Sequence, residues 1–295
     1  MEMQAEHKGI LYALGASIAT SISAVFIKLL VDVPLETILF FRFLIAFLFI
    51  IPNLVKNKVQ LSLSQTPKHF FRAIMGLTSI CFYYYAVKNI PLVNAVTITN
   101  TAPLFTPFII YFWLKMTIPK IRMIGLCIGF FGVILILQPE ASTFTYEIAS
   151  CVGLIGAMTS SFSQVGIKQL AKTESTSTIM AYYFLLAISF LTVPFIYSWT
   201  PIYDPMNWLF ILLIGLFSTV FQFCLTKSLM HGSITQVGSI KYVGVILSGL
   251  FGWGIFGETP NYWVAAGALL IICGGFITIL SKDTSKKRVH FKRNE

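Results

Sequence analysis

The chain has 295 residues, of which 56% are hydrophobic and 11% charged, and its mean hydropathy is +0.81. Soluble globular chains carry roughly 25% charged residues, so a water-facing domain is excluded and most of this chain must face lipid. The net charge of +10 is dispersed between apolar runs, apart from a tail of Lys282, Lys286, Lys287, Arg288, Lys292 and Arg293 that reads as a cytoplasmic anchor on anionic lipid and not as a nucleic-acid site.

A helix rising about 1.5 Å per residue needs roughly 20 apolar residues to cross the hydrocarbon. On that measure, spans are predicted at 9–30, 35–54, 69–88, 93–115, 119–138, 147–168, 177–198, 207–228, 234–256 and 262–281. The first, Gly9 to Leu30, is too long for a signal-peptide core and no small-residue cleavage site follows it. Connections are short, and only Asn53 to Lys68 has room for a surface helix. Pro52, Pro119, Pro139, Pro201, Pro205 and Pro260 are expected at span ends, where a missing N–H does least harm, whereas Pro103, Pro107 and Pro194 fall inside spans. Cys81, Cys127, Cys151, Cys224 and Cys273 all lie in apolar runs without CxxC or metal-type spacing, so no disulfide, metal site or other cofactor is expected.

With a cytoplasmic N-terminus, the loops after spans 2, 4, 6 and 8 and their borders hold Lys56, Lys58, Lys68, Lys115, Lys120, Arg122, Lys172 and Lys227. The opposite loops hold Lys88, with Lys28 at a helix end. This positive-inside bias places both termini in the cytoplasm of a multi-pass protein of the bacterial cytoplasmic (inner) membrane, with Trp199, Trp208 and Trp263 at the outer interface.

The two halves are self-similar. Thr20-Ser-Ile-Ser-Ala-Val-Phe-Ile-Lys28 aligns with Ser160-Ser-Phe-Ser-Gln-Val-Gly-Ile-Lys168 at an offset of 140, and Gly76-Leu-x-Ser-x-x-Phe82 aligns with Gly215-Leu-x-Ser-x-x-Phe221 at 139. A weaker match joins Gly132 to Leu137 with Gly275 to Leu280 at 143. These offsets imply a duplicated five-helix unit, and because five is odd the second copy enters from the opposite side of the membrane. The expected fold class is therefore an all-α membrane protein of ten transmembrane helices in two inverted-topology repeats, residues 1–140 and 141–281, followed by the tail 282–295. Inverted repeats are typical of secondary transporters, whose halves exchange inward-open and outward-open shapes.

The order of several motifs resembles the ten-helix drug/metabolite transporter superfamily, EamA branch. They are Phe40-Phe-Arg-Phe43, Arg72-Ala-Ile-Met-Gly76, Tyr84-Tyr-Ala-Val-Lys-Asn-Ile-Pro-Leu92, Gly125-x-x-x-Gly129-x-x-Gly132 and Phe256-Gly-Glu258. The resemblance covers nearly the whole chain and implies transport of small organic metabolites, with the substrate near the bilayer middle between the halves. One departure is Lys115, which aligns with Glu258 where such transporters often have an acid in both halves.

Ionisable groups deep in the membrane are costly and are the first places to look for function. Every Asp and Glu, and the histidines His7, His69, His231 and His290, are expected at the periphery, which gives no support to a buried proton relay, although Glu36 or Glu258 could serve from a border. The deeper charges are cationic. Arg72, near the inner end of span 3, is expected to snorkel to headgroups. Arg42 is read as a partner for freed carbonyls or Glu36, or as a substrate contact. Lys241, about seven residues into span 9, is either a snorkelling anchor or a contact for an anionic substrate group.

Span 4 carries Asn94, Thr97, Asn100 and Thr101 on one side and is predicted to kink, because Pro103 and Pro107 cannot donate to the carbonyls of Thr99 and Pro103. The bland alternative is a kink that neighbouring helices stabilise. Ser17, Thr20, Ser21 and Ser23 in span 1, and Thr159, Ser160, Ser161, Ser163 and Gln164 in span 6, favour packing, since Ser and Thr often bond their own helix. One of Tyr83, Tyr84 and Tyr85 is expected to reach a cavity. The candidate substrate-binding set is Lys241, Asn100, Thr97, Arg42, Tyr84, Gln164 and Tyr242; there is no catalytic or metal set.

An intramembrane hydrolase would need a nucleophile with a base in reach, and Ser with Lys241 is the only conceivable dyad. A channel would show charge rings or a filter loop. A scaffold or assembly factor needs no inverted duplication. Spans 2 to 4 and Lys241-Tyr242 resemble metabolite carriers related to those for S-adenosylmethionine, while amino-acid exporters fit equally well. The expected partners are a small-molecule substrate, bearing a carboxylate or phosphate, and the lipid bilayer; a homodimer is left open.

Overall fold

The computed structural model describes residues 2–56, 65–114, 120–137, 144–232, 234–259 and 261–280. The room for a surface helix within Asn53–Lys68, the Lys115 departure, Lys58, Pro119, Pro139, Glu140, Pro260 and the basic tail fall wholly or mainly outside these residues. Among the described residues there are twelve helices and no strand. They are α1 (Glu2–Leu29), α2 (Leu35–Lys56), α3 (Thr66–Asn89), α4 (Leu92–Thr99), α5 (Ala102–Leu114), α6 (Lys120–Leu137), α7 (Phe144–Leu170), α8 (Thr176–Ser198), α9 (Pro205–His231), α10 (Ile234–Ile240), α11 (Tyr242–Phe256) and α12 (Tyr262–Leu280). Twelve segments make ten spans, because α4 with α5 and α10 with α11 are the two halves of spans 4 and 9.

Local chemistry sets the ends. The Ser175 hydroxyl accepts from the Thr178 amide at 3.2 Å to start α8, and the Asp204 carboxylate accepts from the Met206 amide at 2.9 Å to start α9, with Pro205 in its first turn. Gly257, with φ +65°, closes α11 in the left-handed conformation that glycine adopts without strain. Pro52 differs from expectation: it sits within the last turns of α2, which runs on to Lys56.

Packing follows the repeat. The pairing of α1 with α9 (spans 1 and 8) is the inverted counterpart of α3 with α7 (spans 3 and 6), and α2 with α8, and α6 with α12, each pair a helix with its own repeat equivalent. The glycines of α6 and α12 allow this approach: a Cβ on Gly132 would lie 2.6 Å from the Gly267 carbonyl oxygen. A buried apolar core including Phe43, Tyr84, Leu92 and Phe184 fills the interior, while Leu11, Phe131, Val193, Trp253 and Leu269 remain exposed on the outside. In water such a girdle would drive aggregation; in a bilayer it is the lipid-facing surface.

Candidate functional site

Spans 4 and 9 are interrupted at matching places. In span 4 the helix stops after Thr99 and restarts at Ala102; in span 9 it stops after Ile240 and restarts at Tyr242, with Lys241 as the joint. The break in span 4 comes earlier than the prolines alone predict: Pro103 lies in the first turn of α5, where its missing N–H costs little, and Asn100 and Thr101 form the joint. The two joints touch, the Asn100 amide donating to the Lys241 carbonyl at 3.3 Å.

Broken helices free carbonyls that must find donors inside a membrane. Ser17 supplies one such donor, and other serines of spans 1 and 6 bond carbonyls in the first turns of the restarted helices. Ser17 donates to the Ile240 carbonyl and Ser21 to that of Gly244, each at 3.2 Å. Its repeat equivalent Ser161 donates to the Ala102 carbonyl at the start of α5. These hydroxyls therefore do more than bond their own helices, although Ser21 also donates to the Ser17 carbonyl at 2.9 Å.

Beside the joints lies a partly open cavity of about 80 Å³. Spans 1, 3 and 4 of the first half and 6, 7, 8 and 9 of the second all contribute to its wall. Lys241, Asn100 and Gln164 line it, together with Arg72, Gln222 and Tyr183. No Asp or Glu does. Lys241 is 9% exposed overall, so it belongs to the protein interior and not to the headgroup layer.

The remaining sequence candidates lie elsewhere. Arg42 and Tyr84 line a neighbouring pocket of only about 10 Å³, which shares Thr20, Ile80, Tyr83 and Phe221 with the larger cavity. The Arg42 guanidinium carbon is 4.7 Å from the Phe43 ring centroid and 5.2 Å from that of Tyr84; its Nε and Nη1 have no hydrogen-bond partner, and no ion pair to Glu36 forms. Thr97 is absent from the wall, its buried hydroxyl donating to the Val93 carbonyl at 2.5 Å. Asn94 is likewise engaged, donating to the Tyr146 hydroxyl at 2.6 Å. Tyr242 turns away towards α12, where its ring occupies the space that a side chain on Gly275 would need.

His69, near the start of α3 as expected, is not exposed, and the snorkelling expected of Arg72 is corrected. His69 is buried and stacked on Tyr182, with ring centroids 4.0 Å apart. Arg72 is 2% exposed and does not snorkel; its guanidinium carbon lies 3.5 Å from the Tyr183 ring centroid. Distance from the helix end does not separate a buried arginine from a snorkelling one. A usable sign was present at the repeat: Gly166 stands where Phe26 stands in the first copy, and a Cβ on Gly166 would lie 3.1 Å from the Cβ of Arg72.

Ion pairing secures one end of the bundle. Lys28 at the end of α1 pairs with Glu258 and donates to the Ile90 carbonyl at 2.9 Å, while the second oxygen of Glu258 accepts from the Leu92 amide at 2.7 Å. The repeat equivalent of Lys28, Lys168, donates to the carbonyls of Leu229 and Gly232 at 2.7 and 2.8 Å. Both lysines thus cap the helix that ends span 3 or span 8, and only Lys28 also meets a carboxylate here.

The comparisons agree with this architecture. A solved structure that is 17% identical superposes with a TM-score of 0.67 over 98% of both chains, which shows the fold. The pseudopaline exporter of Pseudomonas aeruginosa is 29% identical over 268 residues, covering 90% of this chain and 93% of its own. The riboflavin transporter of Vibrio cholerae is 25% identical over 289 residues, covering 95% of each chain. The EamA-like transporter family model matches twice, at residues 7–138 and 147–280, once for each half. Membrane-spanning helices, two repeats and relatives that are transporters and not enzymes lead to one conclusion: the chain belongs to the EamA-like transporter family and is a small-molecule transporter.

Proposed function

We propose that this chain is a secondary transporter that moves a small organic metabolite bearing an anionic group across the bacterial cytoplasmic membrane by alternating access, with both termini in the cytoplasm. The observation that carries the reading is the wall of the central cavity, which presents a buried cation, Lys241, at a helix joint and, among the described residues, no carboxylate. A cation held away from water is several kcal/mol less stable than a solvated one unless an opposite charge meets it. A substrate carboxylate or phosphate supplies that charge at Lys241, with Asn100 and Gln164 as neutral hydrogen-bonding neighbours.

Alternating access is supported by the paired joints. Each is a point where a span can bend without losing continuous helix hydrogen bonds, and inverted repeats let one half take the shape of the other. An amino-acid-like or S-adenosylmethionine-like solute fits the charge pattern, and relatives named for pseudopaline and riboflavin support an organic metabolite over an inorganic ion.

A thermal-shift screen of the purified protein against a metabolite library, followed by counterflow in proteoliposomes with the best stabiliser, tests the reading. The stabilisers are expected to bear a carboxylate or phosphate. Lys241→Met keeps much of the stem, so it should fold normally and lose the shift, while Lys241→Arg recovers only part because guanidinium differs in shape. Wild-type binding and counterflow by the Met variant would overturn the role of Lys241.

A further inference from the structure

We infer that Arg72 is a second anion contact, on the opposite repeat from Lys241, and that the substrate carries two anionic groups, one for each cation. This inference rests on the anionic-substrate reading above and extends it to a substrate class.

Arg72 projects from α3 in the first half, Lys241 from the joint of span 9 in the second, and both line the same cavity. The seat of Arg72 is shaped for its side chain. Tyr183 lies against the guanidinium, a Cβ on Gly76 would come within 3.3 Å of Nη1, and one on Gly166 within 3.1 Å of the Arg72 Cβ. Two glycines and an aromatic face therefore hold the group beside the cavity. Nε and Nη1 nevertheless have no hydrogen-bond partner.

The Tyr183 stacking does not compensate the charge. A cation–π contact is much weaker than the cost of burying an uncompensated ion. Protein carboxylates do not supply the balance, because none lines the cavity. A monoanion at Lys241 would leave Arg72 uncompensated. A dianion satisfies both cations and, because they belong to different repeats, draws the two halves together as it binds.

The test uses the full-length protein in nanodiscs and titrates succinate, glutarate and adipate against butyrate, valerate and caproate. Wild type is expected to bind at least one dicarboxylate about tenfold or more tightly than the monocarboxylate of equal chain length. Arg72→Met should erase that advantage while leaving monocarboxylate affinity within about twofold, and Arg72→Lys should restore part of it. Lys241→Met should weaken both classes. Should Arg72→Met fail to fold, Gly76→Ala keeps the charge but crowds the guanidinium from its seat, and should reduce the dicarboxylate advantage alone. A dicarboxylate advantage that survives in these variants, or its absence in wild type, overturns the second contact and leaves Lys241 standing. If no carboxylate binds, or Lys241→Met weakens neither class, the anionic reading falls and this inference with it.

Discussion

Replacing Glu258 with Gln removes the charge opposite Lys28 but keeps an acceptor for the Leu92 amide, so the two roles of the carboxylate can be separated. Each side chain of the pair is 17% exposed, which places it between a solvated surface pair and a fully buried one. Surface pairs contribute about 0.2 to 1 kcal/mol and breaking a buried pair costs about 3 to 5, so a coupling of about 2 kcal/mol is expected. Glu258→Ala also uncaps the Leu92 amide at the start of α4 and should cost about 1 kcal/mol more. Gly252→Ala is an independent probe, since its new Cβ would lie 2.9 Å from the Glu258 Oε2 and displace that oxygen from Leu92 without changing any charge. The assay is thermal unfolding of Lys28→Met, Glu258→Gln and the double variant in nanodiscs. At roughly 2 °C per kcal/mol for a chain of this size, each single variant should melt about 4 °C below wild type, and the double variant no lower than the worse single. Losses that simply add would show that the pair is uncoupled and that other contacts hold this end of the bundle.

Arg42→Met replaces a buried cation lacking partners at Nε and Nη1 with an apolar chain of similar length, and should raise the melting temperature by about 2 °C or more, since such replacements are neutral or stabilising by about 1 to 4 kcal/mol; a clear fall would show that the arginine holds the fold. Ser21→Ala and Ser161→Ala each remove a donor to a carbonyl in the first turn of α11 or α5 and should cost about 1 kcal/mol. Because the serines serve different joints, denaturant titration of the double variant should show additivity within about 0.5 kcal/mol. Reporters fused at Glu295 and inserted at Ser64 are expected in the cytoplasm, and one at Ser142 outside; an external C-terminus would refute the assigned orientation.

The spans were legible because lipid imposes its demand residue by residue, and apolar length alone satisfies it. The joints were legible only in part. Pro103 and Pro107 announced a disturbance in span 4 but placed it a turn late, because a proline in the first turn of α5 marks where a helix restarts and not where the previous one ends. Span 9 has no proline at its joint. At its joint the Lys241 carbonyl accepts from the Gly244 amide at 2.9 Å, while Ser17 and Asn100 from other spans donate to the carbonyls of Ile240 and Lys241, tertiary contacts that hydropathy does not record. Tyr242 shows the same limit: it follows Lys241 in sequence, yet one step of about 100° around the helix turns it to Gly275 and out of the cavity.

The repeat also explains which features recur and which do not. Ser21 and Ser161 bond the restarted halves of spans 9 and 4, and Lys28 and Lys168 cap equivalent helix ends, so these contacts recur in both copies. The cavity cations have no such twins. At the repeat offsets, Arg72 stands opposite Ile211 and Lys241 opposite Ile98. Two-sided motion requires matching joints, because each half must take the other's shape. Other wall positions diverge as well, Gln164 standing opposite Ala24 and Tyr183 opposite Phe43, so the halves match at the lysines that cap helix ends and differ along the cavity.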